Sequence, residues 1–114
     1  AVDRAPYTYE EKTVAFAEAP GGAIGLQYSF VLLWNQWVTS GRWTPLELWR
    51  AMSANPARCL HQTPPSLQVG ESAELLLFDP HASETLSKRE ILSRSSNAPG
   101  LGTQVRGRIL RTWC

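Results

Sequence analysis

Apolar positions along this chain follow a helical rhythm in its first half and a strand-like one in its last third. Leu26, Phe30, Leu33 and Trp37 recur at the spacing of one helix face, and Ser40 with Gly41 supplies a stop. Val31, Leu32, Trp34 and Val38 widen the stripe until it covers most of the circumference, so this helix needs protein on several sides. A second helix is announced by Thr44 and Glu47 at capping-box spacing, with Pro45 in the first turn. Asn55 precedes Pro56, and a residue before proline is pushed away from helical angles. The pattern therefore predicts a break there, with Asn55 capping a short further helix through Leu60.

Gln62 to Gly70, containing Pro64 and Pro65, reads as a linker. After it, AELLLF from Ala73 to Phe78 predicts a buried strand closed by Asp79 and Pro80. Alternation of Val105, Gly107, Ile109 and Arg111 with Arg106, Arg108, Leu110 and Thr112 predicts a second strand. The polar stretch from Ser83 to Pro99 has no clear period. Tyr7 to Glu18 fits either a short helical turn or a surface loop, and the glycines of APGGAIG, Ala19 to Gly25, permit close backbone approach.

Composition narrows the function classes. With 11 Lys and Arg against 10 Asp and Glu, and a formal charge of +1, the chain has no general attraction for nucleic acid or anionic membrane. The basic residues of the last third lack interleaved aromatics and read as a solvated face. Residues 19–41 carry no charge, yet glycines and amides interrupt them well short of the roughly 20 apolar residues that a spanning helix needs. Cys59 and Cys114 fit no metal-finger spacing and are expected as reduced thiols in a cytoplasmic protein, a single disulfide being the alternative. His61 and His81 are isolated. There is no G-x-S-x-G turn and no phosphate loop. No secretory signal is visible, and the abrupt start is that of a processed or excised piece. From spacing alone, the chain reads as a soluble fragment of a mixed α and β protein.

Five blocks in order carry a more specific resemblance: VDRAPYTYEEK, FAEAPGGAIGL, LELWRAMSANPARCL, VGESAELLLFDP and SKREILSRSSNAPGLGTQVRGRI. Together they resemble the C-terminal portion of dihydroorotase, of the amidohydrolase superfamily. The resemblance implies that the first block ends the eighth strand of a (β/α)8 barrel, where active-site residues project from the C-terminal face. Asp3 is then the implied zinc ligand and the general base and acid that moves a proton from water to the departing ring nitrogen. In the family pattern two histidines follow; Arg4 and Tyr7 stand in their places. The second position is implied to help hold the substrate carboxylate, and a Tyr7 hydroxyl donates one hydrogen bond without positive charge. Ala19, Pro20 and Gly21 match the substrate loop, whose backbone groups hydrogen-bond the pyrimidine ring. Gln27 stands where relatives often have glutamate.

A barrel of this kind typically needs about 250 residues, and its H-x-H pair, metal-bridging lysine and later histidine ligands have no counterpart here. The expected fold is thus α/β: residues 1–61 as the last barrel strand, substrate loop and terminal helices, 62–72 as a linker, and 73–114 as the C-terminal part of a small β-sandwich. The resemblance implies zinc in the full-length protein and none for the isolated fragment, which is expected to be inactive. Implied partners are dihydroorotate or carbamoyl aspartate, the missing N-terminal barrel portion or a second copy, and aspartate transcarbamoylase, with no nucleic acid or membrane. A non-catalytic dihydroorotase-like subunit and an allantoinase- or hydantoinase-type enzyme remain alternative readings.

Overall fold

In the computed structural model, which describes residues 4–114, helix α2 (Ser29–Leu33) runs on into a π-helical segment, Trp34–Thr39. Phe30, Val31 and Trp34 are buried, so the face that enters the core is shifted from the Leu26, Phe30, Leu33 and Trp37 stripe, of which only Phe30 is buried. Leu26 falls outside the helix and is exposed, because the chain turns at Gly25, whose carbonyl accepts from the N–H groups of Tyr28 and Ser29.

The second helix starts where its capping box places it. Thr44 Oγ1 accepts from Glu47 N–H at 3.3 Å and the Glu47 carboxylate accepts from Thr44 N–H at 2.7 Å. These hydrogen bonds, to the carboxylate from the Thr44 backbone and then from its hydroxyl, lower the Glu47 pKa. The expected break at Asn55–Pro56 does not occur. Helix α3 (Pro45–Trp49) passes through a π segment, Arg50–Ala54, directly into α4 (Asn55–Cys59), with Asn55 at helical angles. Proline in a helix removes one donor and crowds the carbonyl of the preceding turn. In the widened turn Asn55 N–H donates to the carbonyl of Arg50, five residues back, and the helix runs on through Pro56. The Asn55 side chain accepts from Arg58 and caps nothing.

Two strands form one antiparallel pair, β1 (Leu75–Thr85) with β2 (Gln104–Trp113). Strand β1 does not stop at Asp79–Pro80 as its sequence suggests. Register shifts between Asp79 and Ser83, leaving Pro80, His81 and Ala82 in a bulge. The bulge is where a strand tolerates a residue without an N–H. Asp79 Oδ1 takes the freed donors, accepting from His81 N–H at 2.8 Å and Ala82 N–H at 3.2 Å.

Helix and hairpin join through one aromatic cluster. The Phe78 ring of β1 sits edge-on to Phe30 at 4.9 Å and to Trp34 at 4.7 Å, and Trp49 packs tilted on Phe30 at 4.6 Å. Such pairs contribute about 0.5–1.5 kcal/mol each beyond area burial. Gly107 on β2 makes room: a Cβ there would lie 2.3 Å from Phe78 Cζ, and its φ of +103° is one that side chains resist. Asn35 completes the joint by bonding its amide to both backbone groups of Arg106, accepting from N–H at 2.8 Å and donating to C=O at 2.7 Å.

The core is small for the chain. Surface area is 8605 Å², against roughly 6,200 Å² for a compact 12.7 kDa protein. The radius of gyration is 16.2 Å, where a chain of this length packs to about 13 Å. Phe16, Leu67, Val69, Leu77 and Leu110 stand exposed.

Gly107→Ala is expected to cost about 3 kcal/mol or more through ring overlap and backbone strain, lowering Tm by roughly 10 °C in a calorimetric melt. Gly102→Ala is the control: its φ is also positive, at +81°, but a Cβ there meets nothing within 4 Å. Equal losses from the two would show that Phe78 does not press on Gly107.

Candidate functional site

Three loops far apart in sequence are stitched together at one end of the molecule. Arg4 and Ile24 form an antiparallel bridge, and Ala5 N–H donates to Ala23 C=O at 3.1 Å. Ile24 N–H in turn donates to Asn97 C=O at 3.2 Å. The segment 4–8 therefore lies against 22–24, which lies against 95–97.

Side chains complete the clasp. Asn97 Nδ2 donates to Ala5 C=O at 2.8 Å and, more weakly, to Gly22 C=O at 3.5 Å. Ser95, the one buried polar residue among those described, accepts from Tyr7 N–H at 3.0 Å while its hydroxyl donates to Tyr7 C=O. Lys12, at the end of helix α1 (Tyr9–Lys12), sends its ammonium back to Pro20 C=O at 2.6 Å and Gly22 C=O at 2.9 Å. The same ammonium lies 5.0 Å from the centroid of the Tyr7 ring. Helix α1 is held by a capping box, Thr8 with Glu11, which makes Tyr7 to Glu18 a helical turn rather than a plain loop at its start.

Of the residues expected in the site, Tyr7 and Pro20 are brought together through Lys12. Gly21 is exposed beside them and a Cβ on it would touch nothing, whereas at Gly22, with φ +105°, a Cβ would lie 2.6 Å from Ala5 Cβ. Ala19 is tied back into its own turn by N–H donation to Ala15 C=O at 3.0 Å. Asp3 lies outside the described residues. Among those residues no three His, Cys, Asp or Glu side chains gather to hold a metal, and Cys59 and Cys114 are exposed free thiols. No helix in them is long and apolar enough to cross a membrane.

Two hollows flank the clasp and share Arg4. A polar cleft of about 770 Å³ is bordered by Tyr7, Glu10, Lys88 and Arg94, and an apolar cavity of about 310 Å³ by Ile24, Leu26, Tyr28 and Ile91. Burial first, then the nearby carboxylates of Glu90 and Glu84, raise the Tyr28 pKa. Gln27 spans the rim of the second hollow, donating to Glu90 C=O at 2.7 Å and accepting from Leu92 N–H at 2.9 Å. Glutamate could make only the second bond, so the amide has a structural use in this chain.

Lys12, Ser95 and Asn97 were not singled out by spacing. Their signal was present only as membership of the VDRAPYTYEEK and SRSSNAPG blocks, because no local period announces a contact across about ninety residues.

No protein-family model matches the chain. Among curated proteins, a "Probable dihydroorotase-like protein" of Synechocystis is 40% identical over 96% of this chain and 24% of its own length. A dihydroorotase of Pelotomaculum thermopropionicum is 37% identical over 97% of this chain and 25% of its own length. The chain resembles the C-terminal part of dihydroorotase. It spans about a quarter of the length of the dihydroorotases it matches, that of Bacillus subtilis included, at 33% identity. A solved D-hydantoinase of Bacillus sp. AR9, from the same superfamily as dihydroorotase, superposes with a TM-score of 0.76 over 98% of this chain and 26% of its own, at 22% identity, a likeness of fold.

Gly22→Ala is expected to open the clasp and cost about 2–3 kcal/mol. Gly21→Ala is expected to leave stability within about 0.5 kcal/mol. Urea titrations of both variants check the contrast, and a neutral Gly22→Ala would contradict the packing of Ala5 on Gly22.

Proposed function

We propose that this chain is the C-terminal part of a cyclic amidohydrolase of the dihydroorotase kind, whose whole form interconverts N-carbamoyl-L-aspartate and dihydroorotate. The observation that carries the reading is the clasp. The segment that follows Asp3 in sequence is paired with Ala23 and Ile24, directly after the APGG loop, which supports a reading in which the block carrying Asp3 and the ring-recognising loop serve one site.

In this reading residues 1–61 supply the last barrel strand, the substrate loop and terminal helices, 62–72 link, and 73–114 supply part of a β-sandwich. Opening a cyclic amide requires water to add to the carbonyl and a proton to reach the ring nitrogen as the C–N bond breaks. Asp3 is suited to moving that proton, since a carboxylate near both water and leaving nitrogen can accept and return it. Tyr7 offers a hydroxyl to a substrate carboxylate, and Gly21, free of a side chain, offers its backbone to the ring. The described residues do not by themselves form a zinc site, so the metal implied for the whole protein would take most of its ligands from the rest of it. Alone, the chain is expected to be inactive.

A second reading, a non-catalytic dihydroorotase-like subunit, is favoured by Arg4 and Tyr7 in place of two histidines. Replacing the matching quarter of the Pelotomaculum thermopropionicum dihydroorotase with this chain separates the two. The enzyme reading expects the fusion to open dihydroorotate in preference to hydantoin and allantoin, and Asp3→Asn to lower turnover by at least about a hundredfold. A folded fusion without turnover would favour the structural subunit, and a preference for hydantoin would favour the hydantoinase type.

A further inference from the structure

We propose that Lys12 is a positioning residue that fixes the backbone of the APGG loop and couples it to Tyr7, so that loop and tyrosine present themselves to substrate as one unit. The proposal rests on the functional reading above for its kinetic consequence, and on geometry alone for the clamp itself.

A lysine ammonium has three N–H donors and no acceptor. Two are used on the carbonyls of Pro20 and Gly22, at 2.6 and 2.9 Å, which lie on either side of Gly21. Drawing two alternate carbonyls toward one cation restricts the peptide between them, so the orientation of Gly21 is set from a distance without a side chain at Gly21 itself. The charge also lies over the Tyr7 ring, 5.0 Å from its centroid, an arrangement that holds the ring in place. Among the described residues no carboxylate forms a salt bridge with the ammonium: the salt bridge found there is that of Arg108 with Glu84, and Glu11 accepts from Thr8 N–H at 2.7 Å. Lys12 is half-buried, and its stem is anchored on the capped helix α1. Charge-assisted bonds of this kind are roughly twice as strong as neutral ones.

Asn97 also reaches the Gly22 carbonyl, but at 3.5 Å, and it bonds the Ala5 carbonyl better. It ties strand to strand; Lys12 alone among the described side chains holds Pro20. Removing the ammonium should therefore loosen residues 19–22 and Tyr7 while leaving the aromatic core intact.

The test pairs Lys12→Met, which keeps an unbranched stem, with Lys12→Arg, which keeps the charge. Hydrogen exchange on the 114-residue chain is expected to quicken about tenfold in Lys12→Met at the loop-bound amides of Ala5, Tyr7 and Ile24, which donate to Ala23 C=O, Ser95 Oγ and Asn97 C=O, to stay unchanged at Val31 to Trp34, and to be largely restored in Lys12→Arg. In the fusion enzyme, Lys12→Met is expected to raise KM for dihydroorotate about tenfold with a smaller fall in kcat, Lys12→Arg again recovering most of the loss. Unchanged loop exchange in Lys12→Met would overturn the clamp, whether or not the fusion is active. A loosened loop with unchanged KM would overturn the coupling to substrate. An inactive parent fusion would count against the functional reading instead, and the exchange result would still decide the clamp.

Discussion

The structure depends on a close approach that only a residue without a side chain permits: the Phe78 ring lying against Gly107 across the β-pair. A Cβ at Gly107 would come within 2.3 Å of that ring, so the glycine is what lets Phe78 turn into Phe30 and Trp34 rather than outward. Everything else follows from that insertion. It docks the apolar helix on the hairpin, brings Asn35 to the backbone of Arg106, and, through the buried Leu86 and the turn at Gly100 to Thr103, fixes where the chain leaves the sheet. From there the chain returns through residues 95–97, which bind segments 4–8 and 22–24.

Its chemistry is mainly backbone chemistry. Peptide groups from three loops meet one another, and the side chains that complete the set, Lys12, Ser95 and Asn97, act on peptide groups too. Contacts between peptide groups depend little on which side chains their residues carry, Arg4 and Tyr7 included. Gln27 differs, since its side-chain amide uses both its donor and its acceptor to hold residues 90 to 92.

Much of this was legible in the sequence, and the failures have physical causes. The helix at Phe30 and the capping box at Thr44 are local signals and appeared where expected. The continuous helix across Pro56 was not legible, because the preference of a residue before proline for extended angles is a local one, and Asn55 keeps helical angles here with its N–H bonded to Arg50 C=O. Strand β1 ran past Pro80 because Asp79 supplies, from its own side chain, the bonds that the bulge loses. The clasp was visible as quoted blocks but not as geometry: nothing local ties Tyr7 to Ser95. Asn35, met in the sequence only as a polar interruption, proved to be the joint between helix and sheet.

The excess surface and the exposed Phe16, Leu67, Leu77 and Leu110 fit a chain that makes up one part of a larger fold. We propose that the remaining part of such a protein covers this surface while the clasp stays as it is. Hydroxyl-radical footprinting of the 114-residue chain, alone and fused behind the first three quarters of the Pelotomaculum thermopropionicum enzyme, tests it directly. Leu67, Leu77, Leu110 and Trp113 are expected to lose most of their reactivity in the fusion while Phe30 and Trp34 stay protected in both. Equal reactivity of those exposed residues in the two forms would contradict it.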